Sequence, residues 1–526
     1  MRKQYQPERQ SFGIFKLNID SRDLEKRKES ASVLRSFSVS LFFKKGREKM
    51  IYDVVIVGAG VIGGMLAREL SKYNLSICVL ERDNDVACGA SKANSGIVHG
   101  GFDPEPDTLK AKLNVEGVEK LFETAKMLNV PIKRNGSFVC AFGEDENEAI
   151  TELYERGIKN GVEGLKILSG DEARKEEPLL SDKITSVLSV SNAGIVCPYD
   201  LTVAAIGNAM DNDVQLKCNF EVSEIAKNDG IFTVTAISGE EVKAKYVVNC
   251  AGGNSDKIAK MVGDNSFDII PRAGEYLLLD KAEGTRVSHT IFQVPSKEGK
   301  GILVSPTVDG NLLTGPTACV VDCAENKCTT IEGMNTVIKL AAKSVPSVNF
   351  RNVITSFCGV RSSEKNGDFI IEESKAQKGF VNVAAIDSPG LSSCVAIAEY
   401  TVDILKSIGL SLVENKNFNG SRENPHFFRE MSYEQKNEYI KEHPAFGKII
   451  CRCETVSEGE ILAAIKRNPP ATDIDGVKRR TRSGMGRCQG GFCGPYVMKL
   501  IAEQNNIPLT KVTKNGKGSE MVADKI

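Results

Sequence analysis

The stretch from Ile51 to Glu81 constrains the fold more than any other part of the chain. Asp53-Val-Val-Ile-Val57 is a short, continuous apolar run, as expected of a parallel strand buried on both faces. It runs into Gly58-Ala-Gly60-Val-Ile-Gly63-Gly64 and then a helical pattern, Met65-Leu-Ala-Arg-Glu-Leu70. A second strand, Leu75-Ser-Ile-Cys-Val-Leu80, ends at Glu81. This is the full strand–turn–helix–strand context of a dinucleotide site. Gly58 permits the turn, Gly60 lets the backbone approach a pyrophosphate, and Gly63 packs helix on strand. The helix N-terminus offers amides to the phosphates, and Glu81 is placed to bind ribose hydroxyls. The fold class is α/β with a Rossmann-like domain, and the same logic fits NAD or FAD.

The other end carries four cysteines in two tight pairs, Cys451-Arg-Cys453 and Cys488-Gln-Gly-Gly-Phe-Cys493. A [2Fe-2S] cluster needs such pairs, because each iron takes two cysteine sulfurs beside the bridging sulfides. Zinc also accepts four thiolates, but more often through Cys-x2-Cys knuckles, and neither pair has that spacing. The remaining cysteines are scattered through the chain, which argues for a reducing compartment rather than disulfides. A cluster moves one electron at a time, so its chain must also hold an electron source. With a dinucleotide site at the other end, the polypeptide reads as a redox enzyme that passes electrons outward.

At 526 residues the chain is too long for one core, and about two to four domains are expected. A net charge of −1 gives no reason to expect nucleic acid or an anionic membrane as partner. No apolar run approaches the ~18–20 residues of a membrane span, so a cytoplasmic protein is expected, reaching a membrane through a partner if at all. Residues 1–49 are rich in Lys, Arg and Ser and precede a natural start at Met50. They read as a disordered tail or a misassigned start. Organellar targeting is the alternative, since Ala31 to Ser40 is basic, Ser-rich and free of acids.

Ile450-Cys-Arg-Cys-Glu-Thr-Val-Ser-Glu-Gly-Glu-Ile461 and Arg482-Ser-Gly-Met-Gly-Arg-Cys-Gln-Gly-Gly-Phe-Cys493 resemble the bacterioferritin-associated ferredoxin-type domain. The resemblance covers residues 447–505 and implies a small helical [2Fe-2S] domain with Cys451, Cys453, Cys488 and Cys493 as ligands. Ala90-Ser-Lys-Ala-Asn-Ser-Gly-Ile-Val-His-Gly-Gly-Phe102 resembles the loop of D-amino-acid-oxidase-type flavoproteins that reaches the flavin, which implicates Ser91, Asn94, Ser95 and Gly96. Val247-Val-Asn-Cys-Ala-Gly-Gly253 is similar to their late strand under the cofactor, through Ala251 and Gly252. Asp387-Ser-Pro-Gly-Leu-Ser-Ser393 is similar to the helix start beneath the flavin pyrimidine, through Gly390 and Leu391. Together they imply FAD, in an oxidoreductase domain over 50–410. Its FAD parts would be about 50–130, 185–260 and 350–410. An interleaved antiparallel-sheet substrate cap would take 131–184 and 261–349, followed by a linker over 411–446 and, after the cluster domain, a tail over 506–526.

Further segments resemble one group, FAD-dependent glycerol-3-phosphate dehydrogenases and L-2-hydroxyglutarate dehydrogenases or oxidases. They are Asn94 to His99, Leu109-Lys110-Ala-Lys-Leu113, Pro271-Arg-Ala-Gly-Glu-Tyr276, Leu303 to Thr307, Leu313 to Pro316 and Gly359-Val-Arg361. The group's chemistry gives a hydride from a secondary alcohol to the flavin while a base takes the hydroxyl proton. Among only four histidines, His99 in the flavin loop is the first candidate base and His289 the second; His426 and His443, in the linker, read as solvated. The substrate is anionic in either case, so Arg361 and Arg272, with Tyr276 and Lys110 beside them, are the expected pocket residues. The cluster implies an electron-accepting flavoprotein or quinone-linked subunit as partner. The cluster domain points to glycerol 3-phosphate, and the catalytic half leans to L-2-hydroxyglutarate. A redox-sensing flavoprotein without turnover is the competing class, and an amine or amino-acid oxidase a nearer rival. Cys319, Cys323 and Cys328 crowd one loop at irregular spacing with no fourth ligand evident, and read as incidental.

Overall fold

The computed structural model describes residues 50–295 and 301–524. The expectations for residues 1–49 lie outside them. Strand β1 (Ile51–Val57) is buried from Val54 onward and pairs in parallel with β2 (Ile77–Leu80) on one side and with Glu241–Asn249 on the other. A strand with two parallel neighbours and helices over it can expose no face, which is why it carries no alternation. Helix α1 (Val61–Leu70) leaves the glycine turn, and every residue in it except Ile62 is buried. It packs beside Pro198–Asp211 and Gly390–Ser407, which with α2 (Leu109–Met127) build the helical layer over an eight-stranded sheet.

A nine-stranded sheet forms the cap. Its longest pairing joins Ile270–Leu279 to Val353–Ser363, antiparallel, with Arg272 directly opposite Arg361. The pairing of Thr290–Gln293 with Ser137–Ala141 is parallel, so the cap is mixed rather than wholly antiparallel. Ser186–Val190 and Val353–Ser363 belong to the cap sheet, although sequence placed both in FAD segments. Segment boundaries inside interleaved domains follow long-range strand pairing, which local patterning does not report.

Residues 449–505 fold as three helices, Glu458–Lys466, Ile474–Thr481 and Gly494–Asn505, around Val456, Ile461, Val477, Val497 and Ile501. The first starts where Ser457 and Glu460 form a reciprocal capping box, satisfying two backbone donors at once. The expected linker is not a free tether. Its Arg422 is buried against Asp211 and the carbonyl of Asn468, and Phe427, Phe428, Tyr439 and Phe446 cluster. His426, read as solvated, is buried and bonded to Asp200 at 2.8 Å. The expected tail folds back too: Ile474 donates to Thr513 and Gly516 to Asp473.

The helical lobe is fastened to the flavin lobe by charge. Arg479 and Arg480 both reach Asp85, at 2.5 to 2.8 Å, and all three side chains are buried. Arg482 meets Glu454, Asp309, Asn311 and the Tyr199 hydroxyl. Among the described residues, no helix is long and apolar enough to cross a membrane.

Candidate active site and cluster site

The glycine turn closes only with glycine. Gly58 has φ +108°, and a Cβ there would lie 2.4 Å from the Cys250 carbonyl oxygen. A Cβ on Gly63 would lie 2.0 Å from the oxygen of Gly58, while Gly60 faces Ser91. Ser91 accepts the Val61 amide through Oγ, and Asn94 accepts the Gly96 amide, so both brace the loop that faces the cofactor. Glu81 accepts the amides of Ala59 and Asp83 at 2.8 and 2.9 Å, one on each oxygen. A carboxylate has about four acceptor positions, which leaves two for ribose. Burial pushes the Glu81 carboxyl up to about 7 against those two amides.

These residues open on a cavity of 1550 Å³, lined by Gly58, Gly60, Glu81, Ser91, Asn94, Ser95, Ala251, Gly252, Gly390 and Leu391. A drug-sized ligand fills about 300–1,000 Å³, so this cavity has room for a dinucleotide and a small substrate together. Gly63 and Gly96 stand behind the wall in packing roles. No side chain caps the helix beginning at Gly390, whose first turn lines the cavity, so its dipole favours an anionic group there.

At the same cavity His99 is buried between Phe102 and Phe292, at centroid distances of 5.0 and 5.8 Å. Its amide donates to Ser392 and its carbonyl accepts from Asn114, which fixes the backbone that carries the ring. Cap residues Arg272, Tyr276 and Arg361 also line it. Directly opposed residues on neighbouring strands share a face, so Arg272 and Arg361 sit side by side. Among the described residues neither has an acidic partner; Arg361 donates to the Thr317 carbonyl at 2.8 Å and lies beside the Tyr276 hydroxyl. Gly274 gives Arg361 its room, since a Cβ would meet Nη2 at 2.6 Å. Tyr276 stacks on Phe357; burial raises its hydroxyl, and Arg361 opposes that rise. Lys110 lines the cavity already paired to Asp387 at 2.5 Å, with Ser363 on the other carboxylate oxygen. His289 stands apart, bonded through Nδ1 to Glu177 at 2.7 Å and stacked on Phe138, with no place in the cavity wall. Sequence reasoning gave no role to Asp387, which opens a quoted motif, or to Ser363, two residues past another.

The cysteines come together as two pairs. Sγ of Cys453 lies 3.7 Å from Sγ of Cys488, and Cys451 is hydrogen-bonded with Cys493. Two thiolates about 2.3 Å from one tetrahedral metal stand about 3.8 Å apart, so Cys453 and Cys488 are spaced to share an iron. Among the described residues no three His, Cys, Asp or Glu side chains are grouped to hold one metal ion. Two two-sulfur pairs suit a two-iron cluster. The Cys493 thiol, with the amides of Gly484, Glu454 and Cys453, holds Cys451 well below its ordinary value against burial. The buried Ser483 hydroxyl lies beside Cys493 and lowers its thiol, against the larger effects of Cys451 and burial. Cys319, Cys323 and Cys328 form no metal group.

Residues 53–404 match the model of the FAD dependent oxidoreductase family. The chain belongs to that family. Residues 449–503 match the BFD-like [2Fe-2S] binding domain. A glycerol 3-phosphate dehydrogenase of Caloramator mitchellensis is 47% identical over 470 residues, 89% of this chain and 98% of the relative. An L-2-hydroxyglutarate dehydrogenase of Pongo abelii is 33% identical over 283 residues, 51% of this chain and 67% of the relative. The dithionite-reduced, FAD-bound L-alpha-glycerophosphate oxidase of Mycoplasma pneumoniae superposes with TM-score 0.68 at 33% identity, covering 71% of this chain and 98% of its own. This family member is an FAD-dependent oxidoreductase, and its cofactors are FAD and a [2Fe-2S] cluster.

Proposed function

We propose that this oxidoreductase converts sn-glycerol 3-phosphate to dihydroxyacetone phosphate and passes the electrons through its cluster to a separate acceptor. The observation that carries the reading is the unneutralised pair Arg272 and Arg361 on the cavity face of the cap. Two arginines that line one cavity with no acidic partner among the described residues can each give a phosphate a charge-assisted bond. FAD, when bound, supplies the hydride acceptor. His99 takes the hydroxyl proton as the C–H hydride departs, and the Phe102 and Phe292 rings beside it limit water around the imidazole. Tyr276, held against Phe357, donates to the substrate. Lys110 is a positioning residue, because its charge is spent on Asp387 beneath the helix start at Gly390. The curated relatives support this substrate, since the glycerol 3-phosphate dehydrogenase covers nearly the whole chain. The acceptor is a flavoprotein or a quinone-linked subunit.

Anaerobic mixing with sn-glycerol 3-phosphate should bleach the flavin, and Arg361→Ala should abolish bleaching at substrate levels that saturate wild type while FAD stays bound. If L-2-hydroxyglutarate bleaches the flavin and glycerol 3-phosphate does not, the substrate is the 2-hydroxy acid. Undiminished bleaching in Arg361→Ala with both would overturn the pocket itself.

A further inference from the structure

The flavin-facing loop and the cluster-bearing loop are linked through the side chain of Tyr199. Ile97 and Val98 pair antiparallel with Ile195 and Gly194, and the Val196 amide donates to the Gly96 carbonyl at 2.7 Å. Three residues beyond Val196, the Tyr199 hydroxyl reaches Sδ of Met485 at 3.4 Å and accepts from Arg482 at 3.3 Å. Met485 stands three residues before Cys488, and Gln489 donates back to its carbonyl at 3.0 Å. The next residue, Gly486, presses on the cluster ligands, since a Cβ there would lie 2.3 Å from Cys453 Cβ. From the wall of the flavin cavity to the ligands Cys453 and Cys488, the chain therefore offers covalent bonds, one strand hydrogen bond and the Tyr199–Met485 contact.

Lys281 with Glu454 and Arg487 with Asp280 also reach the neighbours of Cys453 and Cys488, but from the end of the cap strand Ile270–Leu279 rather than from the flavin-facing loop. Asp85 with Arg479 and Arg480 lies beyond Glu81, on the nucleotide side, and Arg422 binds Asp211 at the far end of helix Pro198–Asp211. Electron transfer falls off steeply across empty gaps and far less along bonds and hydrogen bonds, so the route that closes the gap decides the rate.

We propose that Tyr199 couples the two cofactor sites electronically, as a side chain that closes the gap between the flavin loop and the cluster loop. The inference rests on the reading above that electrons leave through the cluster. Of the two electrons released with the substrate hydride, one reduces a ferric iron to ferrous. The other follows once a one-electron carrier outside the protein has removed the first.

The test uses full-length, anaerobically prepared protein with equal FAD and iron content in each variant. The flavin is reduced both by glycerol 3-phosphate and by a light pulse, without acceptor, and cluster reduction is followed by freeze-quench paramagnetic resonance. Tyr199→Leu should bleach its flavin at the wild-type rate, yet reduce its cluster at least about tenfold more slowly, with the cluster reduction potential unchanged. Tyr199→Phe keeps the ring and should be slowed less. Asp211→Asn loosens the hold on Arg422 and Asn468 without touching Tyr199 or Arg482, and serves as the control for lobe position. Cluster reduction in Tyr199→Leu at the wild-type rate overturns the proposal, as does an equal slowing in Asp211→Asn. Failure of glycerol 3-phosphate to bleach wild-type flavin would count against the substrate alone, because the light pulse still reads the route.

Discussion

Asp85→Asn should release the cluster lobe from the flavin lobe without unfolding either. Asp85 is 3% exposed and is gripped by Arg480 through both oxygens and by Arg479 through one. Burial alone would raise its carboxyl, but Arg480 and then Arg479 win and hold it at about 2, from an ordinary 3.8. At about 1.4 kcal/mol per pH unit, that displacement corresponds to about 2–3 kcal/mol of folded-state stabilisation at neutral pH. Deleting the charge also leaves two buried guanidiniums unpaired, and breaking such an arrangement costs about 3–5 kcal/mol. Asparagine keeps one acceptor oxygen, so about 3 kcal/mol is expected, a factor of about a hundred in the docking equilibrium. The sign in pH follows from the depressed carboxyl. Its contribution is complete above about pH 4 and disappears as pH falls toward 2, so wild type should approach the variant only in strong acid. Hydrogen exchange reads this directly: amides of Ile474–Thr481 should lose protection in the variant at pH 7, while those of β1 and α1 keep theirs. Unchanged protection of that helix at pH 7 would refute the claim that the triad carries the docking.

Three further outcomes follow from the sites. Glu81 stands near 7 in the FAD-free protein because of burial, and a ribose hydroxyl donating to it favours the ionised form; FAD binding then releases a proton, and affinity measured by flavin fluorescence should fall below pH 7 by up to about tenfold per pH unit. Affinity flat between pH 5.5 and 7.5, or rising toward acid, would remove Glu81 from the ribose site. Cys488→Ser should lose its iron and keep its FAD, since the fingerprint glycines belong to the other lobe; stoichiometric zinc in anaerobic wild type would rule out the cluster. His99→Asn should lower the rate of flavin reduction more than substrate affinity, because a base acts in the transition state, and an effect confined to affinity would make His99 a binding group.

What sequence could reveal was set by how local the physics is. The glycine turn, β1 and Glu81 lie within thirty-one residues and satisfy one another directly, so their chemistry is written in spacing. The cysteine pairs were legible for the same reason, but which sulfurs share an iron was not, because Cys453 and Cys488 meet only when three helices pack. Arg272 and Arg361 each looked like a pocket residue, yet their partnership depends on the register of two strands distant in sequence. His289 carried a plausible role until folding spent its ring nitrogen on Glu177. Residues 411–446 looked like solvent-loving linker because their composition is polar, and composition does not show that Arg422 and His426 are themselves buried, each with a carboxylate partner. The widest gap is Asp85, which meets Arg479 across 394 residues of chain. A buried charge triad obeys no periodicity, and its three members read singly as surface charges. Holding two lobes at a fixed separation needs an attachment that does not slide, and a bidentate arginine pair on one carboxylate supplies direction as well as energy. That is why the contacts least visible in the sequence are the ones that hold the two lobes together.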